Sequence, residues 1–229
     1  MEPVIGNRMR LVRFELILRF STKSLSPAAE VFKSIGGKGQ YRGPEQPASV
    51  RLDDKKLSIE WRSGRCRIVL EDTAALQDCV EGALRWLSRI NSASPISRVN
   101  ITELTTCWLL PAPNDNFVSL ERKYRAAMIF GRESIMEGTC DSSVMFDAQI
   151  GDWTLHHQSG AMEPHQLQES YVSFMLDDVP EVFLFLLLHI IDGNVVEYTQ
   201  EDMRERLIRM FDHSKSHSDA FAEIWEGGL

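Results

Sequence analysis

The residues best suited to metal-dependent hydrolysis lie on and beside one predicted hairpin. Asp54 falls in the turn before a predicted strand, and Glu60 and Arg62 fall near the end of that strand. Metal-dependent nucleases place an Asp on one strand and Glu-x-Lys on the next, so that two carboxylates share a divalent ion. Arg62 stands where that pattern has its lysine, and Asp53-Asp54-Lys55-Lys56 is typical of a turn. The pattern therefore favours a structural role.

The histidines also lack a metal-binding pattern. His156 and His157 are adjacent on a predicted strand, where neighbouring side chains point to opposite faces, and His165 stands alone. His213 and His217 are four residues apart, which on a continuous helix places both on one face. No glutamate lies between them to complete a zinc-protease motif. We expect exposed polar histidines, with no metal and no cofactor.

Nucleophilic catalysis has no sequence support either. The glycine loop Gly36-Gly37-Lys38-Gly39 lacks the spacing of a phosphate-binding P-loop and follows a predicted helix instead of preceding one. There is no G-x-S-x-G motif, and the cysteines have no context that singles out a nucleophile. They are Cys66, Cys79, Cys107 and Cys140. We expect no catalytic residues, and buried, reduced thiols in the cytoplasm.

A basic surface is the strongest binding candidate. Arg10, Arg13 and Arg19 lie on the first predicted strand, and Arg62 and Arg65 lie on a later hairpin. Arginines clustered on one face are the electrostatic signature of an anionic partner. These five arginines are the candidate binding residues of the sequence.

Two interpretations of these arginines stay open. If they share a face with Tyr41 and Trp61, the basic N-terminal third could bind nucleic acid, although no RNA-binding or helix-turn-helix motif accompanies them. Alternatively, they pair across strands with Glu15, Glu60 and neighbouring carboxylates.

The charge is unevenly distributed along the chain. Residues 1–70 contain 14 Lys and Arg and 7 Asp and Glu, which gives a net charge of +7. Residues 71–229 contain 11 Lys and Arg and 26 Asp and Glu, which gives a net charge of -15. Such an asymmetry lets the two parts attract each other, and the acidic part suits a basic partner. The first residues lack a secretory signal, and the longest apolar run, Val182 to Ile191, is about half a membrane span. We expect no membrane partner.

The first half of the chain predicts a strand, a helix, three strands and a long helix. Val12, Phe14, Leu16 and Leu18 share one face and the charged residues Arg13, Glu15 and Arg19 lie on the other, which indicates a half-buried strand. The remaining elements follow from turn signals and helical periodicity. The predicted ranges are strands 10–20, 48–52, 57–62 and 65–70, and helices 28–35 and 73–90.

The second half predicts a similar order. Its predicted strands are 99–110, 144–150, 153–157, 167–176, 182–191 and 195–198. A helix is predicted over 117–128, another begins at Thr199, and a last short helix carries Phe221, Ile224 and Trp225.

The fold class predicted is α+β, with two tandem β-α-β-β-β-α units, antiparallel sheet or sheets, and amphipathic helices packed on one face. The units are residues 1–95 and 96–229, the second with an extra strand, and they pack as one body. In topology alone this order resembles the two-repeat saddle of the TATA-binding-protein fold and the helix-grip ligand carriers. A likeness of fold does not transfer function.

The functional prediction is a non-enzymatic protein that acts by protein-protein interaction, as an accessory, immunity-like or regulatory component. Its partner is expected to be a protein, and a basic one fits the acidic part; a homo-oligomer stays open. One alternative is a small-molecule-binding or hydrolytic protein with a pocket between sheet and helix, lined by Trp61, Trp86 and Trp108. The other is nucleic-acid binding through the basic N-terminal third.

Overall fold

One antiparallel sheet connects the two halves of the chain. The structure is a computed structural model that describes residues 9–22, 28–36, 48–72, 78–128 and 142–227. The strands in this part are β1 (Arg10–Thr22), β2 (Ala48–Leu52), β3 (Leu57–Arg62), β4 (Arg65–Glu71), β5 (Ile96–Pro111), β6 (Ser143–Ile150), β7 (Trp153–Met162), β8 (Phe183–Asp192) and β9 (Val196–Glu197). Their order is β2-β3-β4-β1-β5-β8-β7-β6, with β9 added beside β5. Strands from both halves of the chain therefore belong to one hydrogen-bonded sheet.

Four helices cover one face of this sheet. The described residues form five helices, namely α1 (Ala28–Ser34), α2 (Cys79–Ala93), α3 (Phe117–Met128), α4 (Pro164–Ser170) and α5 (Gln200–Gly227), of which α4 lies on the other face. The main core joins apolar residues of α1, α2, α3 and α5 to alternate residues of the strands. Among these, Leu87, Leu104 and Tyr124 have no exposed surface. The α+β class predicted from the sequence is confirmed, and so is the placement of these helices on one face.

The first predicted unit matches the structure closely. Strands β2 and β3 have the predicted bounds, and β1 and β4 extend slightly beyond them. Helix α2 runs to Ala93, three residues past the predicted end, and the backbone amide of Ser94 closes it on the carbonyl of Ile90. The predicted start of this helix, residues 73–77, and the glycine loop from Gly37 to Pro47 lie outside the described residues.

The strand predicted over residues 167–176 is wrong. Helix α4 occupies residues 164–170, and the segment from Tyr171 to Pro180 is irregular. Pro164 suits the first turn of a helix, and Glu163 and Gln166 form a capping box around it. The apolar residues that suggested a strand, Leu167 and Val172 among them, belong to a second, smaller core on the other sheet face.

The two C-terminal helices predicted are one helix. α5 continues for 28 residues, beginning after Thr199, whose Oγ1 accepts a hydrogen bond from the backbone amide of Asp202. The polar middle of this helix suggested a solvated break. Instead Ser214 and Ser218 are fully buried, and Ser214 lies within hydrogen-bond distance of Thr106 and Trp108 on β5.

No helix among the described residues is both long enough and apolar enough to cross a membrane. The predicted internal duplication stays a prediction. The second half departs from the predicted order at α4, which stands where a strand was predicted.

Candidate interaction face

The sheet surface opposite α1, α2, α3 and α5 carries the polar strand residues. We call this surface the open face. The small core around α4 covers one end of it, beside Val12 and Cys107. The other end, where β1, β3 and β4 meet the β3-β4 turn, carries exposed and half-exposed side chains. This uncovered end is the candidate site.

Three arginines lie side by side at the uncovered end. Arg62 on β3 is the cross-strand partner of Arg65 on β4, and Arg65 is the partner of Arg19 on β1. Residues directly opposite each other in antiparallel strands have Cβ atoms about 5 Å apart on the same face. We call Arg19, Arg65 and Arg62 the arginine row.

The arginine row is only partly neutralised. Arg19, with a side chain that is 56% exposed, donates a hydrogen bond to Glu103 over 3.0 Å. Within the described part of the chain, Arg62 and Arg65 have neither an ion pair nor a side-chain hydrogen bond. Both border a cavity of about 70 Å³, which is also lined by Glu60, Trp61 and Arg67. Like charges directly opposite each other destabilise a sheet, so this pair favours the approach of an anion.

The Arg62-Arg65 pair leads to a stability prediction. In Arg62→Glu, a carboxylate faces Arg65, and we expect the free energy of unfolding to rise by about 0.5–1 kcal/mol. Urea unfolding measures the change, and Arg62→Gln, which removes the charge without reversing it, should give a smaller gain. A loss of stability in Arg62→Glu would show that the two arginines do not repel each other.

An aliphatic patch adjoins the arginine row. Ile17 on β1, Ile101 on β5 and Ile191 on β8 are each partly exposed. Ile101 lies opposite Arg19, and Glu103 lies opposite both Ile17 and Ile191. The uncovered end therefore interleaves partly exposed aliphatic side chains with charged ones, so that a bound protein segment can contact both.

The carboxylates of the open face are largely neutralised by arginines. Glu15 accepts hydrogen bonds from Arg13 and, over 2.6 Å, from Arg67, which also lies 3.6 Å from Glu60. Burial raises the pKa of Glu15, but Arg67 and Arg13 outweigh it and hold that pKa below the ordinary value. Uncompensated charge on this face is therefore positive.

A chain of polar contacts crosses five strands. Glu103 bridges Arg19 and His189, whose Nε2 lies 3.3 Å from the carboxylate. The ring of His189 lies 5.3 Å from the ring of His156, which contacts Asp147 over 2.6 Å. Burial lowers the pKa of His189, although Glu103 opposes the shift. This chain fixes the position of Arg19 through Glu103.

Buried ionised side chains hold the segment after α4 against the covered end of the open face. Arg13 contacts Glu71 over 2.8 Å and donates to the carbonyl of Tyr171. Glu71 is fully buried and also accepts hydrogen bonds of 2.8 Å from the amides of Ser173 and Phe174. Burial raises the pKa of Glu71, against the effect of Arg13 and the two amides. The segment after α4 is thus fixed to β1 and β4.

Further basic residues hold the same segment. Arg10 donates to the carbonyls of Asp177 and Asp178, and Lys56 donates to the carbonyl of Met175. Arg51 donates to the carbonyl of Ser173 over 2.9 Å. These four hydrogen bonds go to backbone carbonyls, whereas the attraction between opposite charges that the charge distribution suggested is seen in the ion pairs Arg13–Glu71 and Arg19–Glu103.

The structure separates the five arginines predicted as a binding face. Arg19, Arg62 and Arg65 meet in the arginine row, whereas Arg13 is buried in ion pairs and Arg10 lies at the covered end. The pairing with Glu15 and Glu60 considered as an alternative involves Arg13 and Arg67.

Sequence reasoning missed two residues of this face. Glu103 and His189 hold Arg19 in place, yet they lie far apart in the chain and carry no motif. The available signal was the alternation of β5, which places Glu103 and Thr105 on the face opposite Leu104.

A second polar cluster lies on the helix-covered face. His157 Nε2 lies 2.7 Å from Ser159 Oγ, and His157 Nδ1 lies 3.0 Å from Nε2 of His217. A serine bonded to a histidine that contacts a second histidine has the connectivity of a hydrolase triad. Ser159 is fully buried, however, and its Oγ also lies 2.8 Å from the Tyr124 hydroxyl. This arrangement satisfies buried polar groups and offers no access to a substrate.

The buried histidine makes stability depend on pH. Burial, with a smaller effect of His217, lowers the pKa of His157 to about 4 from its ordinary 6.5. The folded protein therefore binds fewer protons than the unfolded chain between these values, so stability is present above the upper value and is lost as the pH falls toward the lower one. We expect unfolding free energy to drop by about 2 kcal/mol between about pH 7 and pH 5.

Urea unfolding at both pH values tests this expectation. His157→Gln should make the pH dependence shallower by about 2 kcal/mol over this range. His165→Gln, at a side chain that is 65% exposed and lies outside this cluster, serves as the control. An equally steep dependence in His157→Gln would contradict the assignment.

Other chemistry suggested by the sequence finds little support in the described residues. They contain no group of three or more His, Cys, Asp or Glu side chains that could hold a metal ion. Cys66, Cys79 and Cys107 are buried free thiols, and burial raises the pKa of each to about 12. Trp61 and Trp108 pack in the core. Trp86, which lies beneath Arg89 on α2, lines an open cavity of about 480 Å³ together with Leu70 and Gly82.

Comparison with known proteins gives no family assignment. No protein-family model matches the chain, and no curated protein matches it. One similar solved structure is the TBP of Methanococcus jannaschii, 11% identical, covering 91% of this chain and 98% of that chain with a TM-score of 0.27. Another is the ligand-free regulatory subunit of aspartate kinase from Thermus thermophilus, 11% identical, covering 79% and 86% with a TM-score of 0.21. Both scores are too low to support an argument about fold or function.

Proposed function

We propose that this chain is a non-enzymatic interaction protein that binds a protein partner on the uncovered end of its open face. The observation that carries the proposal is the arginine row, in which Arg62 and Arg65 lie opposite each other and neither forms an ion pair within the described residues, since nearby Glu60 pairs with Arg67. A partner carboxylate placed between them relieves their repulsion and completes the ion pairing of this end.

The charge of the partner follows from this face. The composition of the acidic two-thirds suggested a basic partner, but Glu15 and Glu103 already have arginine partners. The uncompensated groups are Arg62 and Arg65, so the segment that lies on the open face is acidic. We propose a regulatory or accessory role in the cytoplasm, where the three buried free thiols stay reduced.

A protein partner fits better than a nucleic acid. Single-stranded nucleic acids are bound by basic grooves with aromatic side chains on which bases stack. Trp61 lines the cavity beside Arg62 and Arg65, but it is 4% exposed and packs in the main core. The partly exposed apolar side chains beside the arginine row are Ile17, Ile101 and Ile191. Aliphatic side chains bury apolar surface of a protein segment but stack poorly with bases.

Two labelled ligands of equal charge distinguish these classes. One is a synthetic peptide that alternates Glu and Ile, and the other is a single-stranded DNA oligonucleotide. Both should bind more weakly as salt increases, because both are anions. We expect fluorescence anisotropy to show the peptide binding at least about tenfold more tightly, since only the peptide also contacts the isoleucines. Equal or tighter binding of the oligonucleotide would contradict a protein partner.

A further inference from the structure

Strand β6 is an edge strand with an unusual composition. It is the last strand of the sheet order, and in the described part of the chain it pairs with β7 alone. Its eight residues pair without a register shift, so no β-bulge interrupts the edge. Proteins protect such edges with Lys, Pro or bulges, because an open edge pairs with other strands. The sequence Ser143–Ile150 contains neither lysine nor proline.

Large apolar side chains are exposed on both faces of this edge. Met145 is 71% exposed on the open face, and Phe146 is 44% exposed on the helix-covered face. Phe146 stacks on His157 with ring centroids 4.4 Å apart, which holds its position. Both the backbone and the side chains of β6 are therefore arranged for pairing with another strand.

The composition of β6 suits pairing with a second copy of itself. Its one charged residue is Asp147, which is engaged with His156 of β7. In an antiparallel pairing of two β6 strands with Phe146 opposite Phe146, Asp147 faces Met145 of the other copy. No like charges then face each other, and residues of the same face stay together.

We propose that β6 pairs with β6 of a second copy of this chain, in antiparallel orientation about a two-fold axis that passes between the two Phe146 residues. The two sheets then form one continuous sheet, and the contact is self-complementary, as a two-fold dimer requires. Since the axis is perpendicular to the sheet, the two arginine rows lie on the same side of the dimer.

Charge variants at Met145 test both the dimer and its register. Met145→Lys places a lysine opposite Asp147 of the other copy, whereas Met145→Glu places a carboxylate there; both remove the same apolar side chain. Each pair occurs twice in the dimer, so we expect the dimer dissociation constant of Met145→Glu to exceed that of Met145→Lys at least about tenfold. Sedimentation equilibrium measures both constants, with Met175→Glu as the control, since Met175 is 75% exposed away from this edge.

Cysteine cross-linking gives an independent readout. Cα atoms of directly opposite residues are about 4.5–5.5 Å apart, within the range of a disulfide. In a Cys140→Ser background, Phe146→Cys should form a disulfide-linked dimer on mild oxidation, and Ile150→Cys should not. A wild-type chain that is monomeric at micromolar concentrations, or equal weakening by Met145→Glu and Met145→Lys, would overturn the proposal. In the monomeric case the edge belongs to a strand of another protein.

Discussion

Replacing Glu71 by alanine should lower the free energy of unfolding by about 3–5 kcal/mol, because it removes one of the two carboxylates that pair with the buried Arg13 guanidinium and the acceptor of two backbone amides. The Glu71 side chain has no exposed surface, and its second oxygen accepts hydrogen bonds from the backbone amides of Ser173 and Phe174. Removing the carboxylate also leaves these two amide donors without their acceptor. The effect should therefore be among the largest of any single substitution on the open face.

Urea unfolding at neutral pH, with Glu60→Ala as the control, measures this effect. The Glu60 side chain is 43% exposed and lies 3.6 Å from Arg67, so its removal should cost at most about 1 kcal/mol. Glu71→Gln keeps an acceptor oxygen but loses the charge, and it should fall between the two. If Glu71→Ala costs no more than Glu60→Ala, the buried ion pair does not hold the segment after α4.

Reversing two charges of the arginine row should abolish most of the binding of an acidic ligand. In the double variant Arg62→Glu, Arg65→Glu, we expect the Glu-Ile peptide to bind about 100-fold more weakly, because attraction becomes like-charge repulsion. The variant should stay folded, since neither arginine has an ion pair in the described structure. Fluorescence anisotropy measures the affinity, and urea unfolding checks the fold.

The matched control has the same change in net charge on the other side of the molecule. Arg122 on α3 and Arg209 on α5 are exposed, and Arg122→Glu, Arg209→Glu should weaken the peptide only slightly. A peptide that alternates Lys and Ile should show the opposite preference, binding the Arg62, Arg65 variant more tightly than the wild type. Equal losses in the two double variants would show that net charge, and not the arginine row, governs binding.

The elements of the first half of the fold could be predicted because the sequence signals that determine them are local. The alternation of β1 and the turns at Asp53-Asp54-Lys55-Lys56 and Ser63-Gly64 each determine an element within a few residues. The structure of the segment after Glu163 could not be predicted from local signals. Leu167, Val172 and Leu176 suggest a strand, but the capping box places the first of them on a helix, and all three pack beneath Phe183 and Phe185.

The binding site was predictable only in part. Clustering in the sequence found Arg19, Arg62 and Arg65, but it could not separate them from Arg13, which has the same residue type and spacing. That distinction depends on strand order, because β4 lies beside β1 and brings Glu71 to Arg13 and Arg65 to Arg19. Cross-strand register, which no short motif encodes, therefore decides which arginines have partners and which are left to bind.

The most direct test of the open face as the binding surface is NMR of isoleucine δ1-methyl groups during titration with the Glu-Ile peptide. Ile17, Ile101 and Ile191 lie beside the arginine row, and Ile208 and Ile224 are exposed on α5 at the opposite side of the sheet. We predict that the signals of the first three shift with the same dissociation constant as anisotropy gives, while those of Ile208 and Ile224 stay in place. Shifts confined to Ile208 and Ile224 would contradict the account.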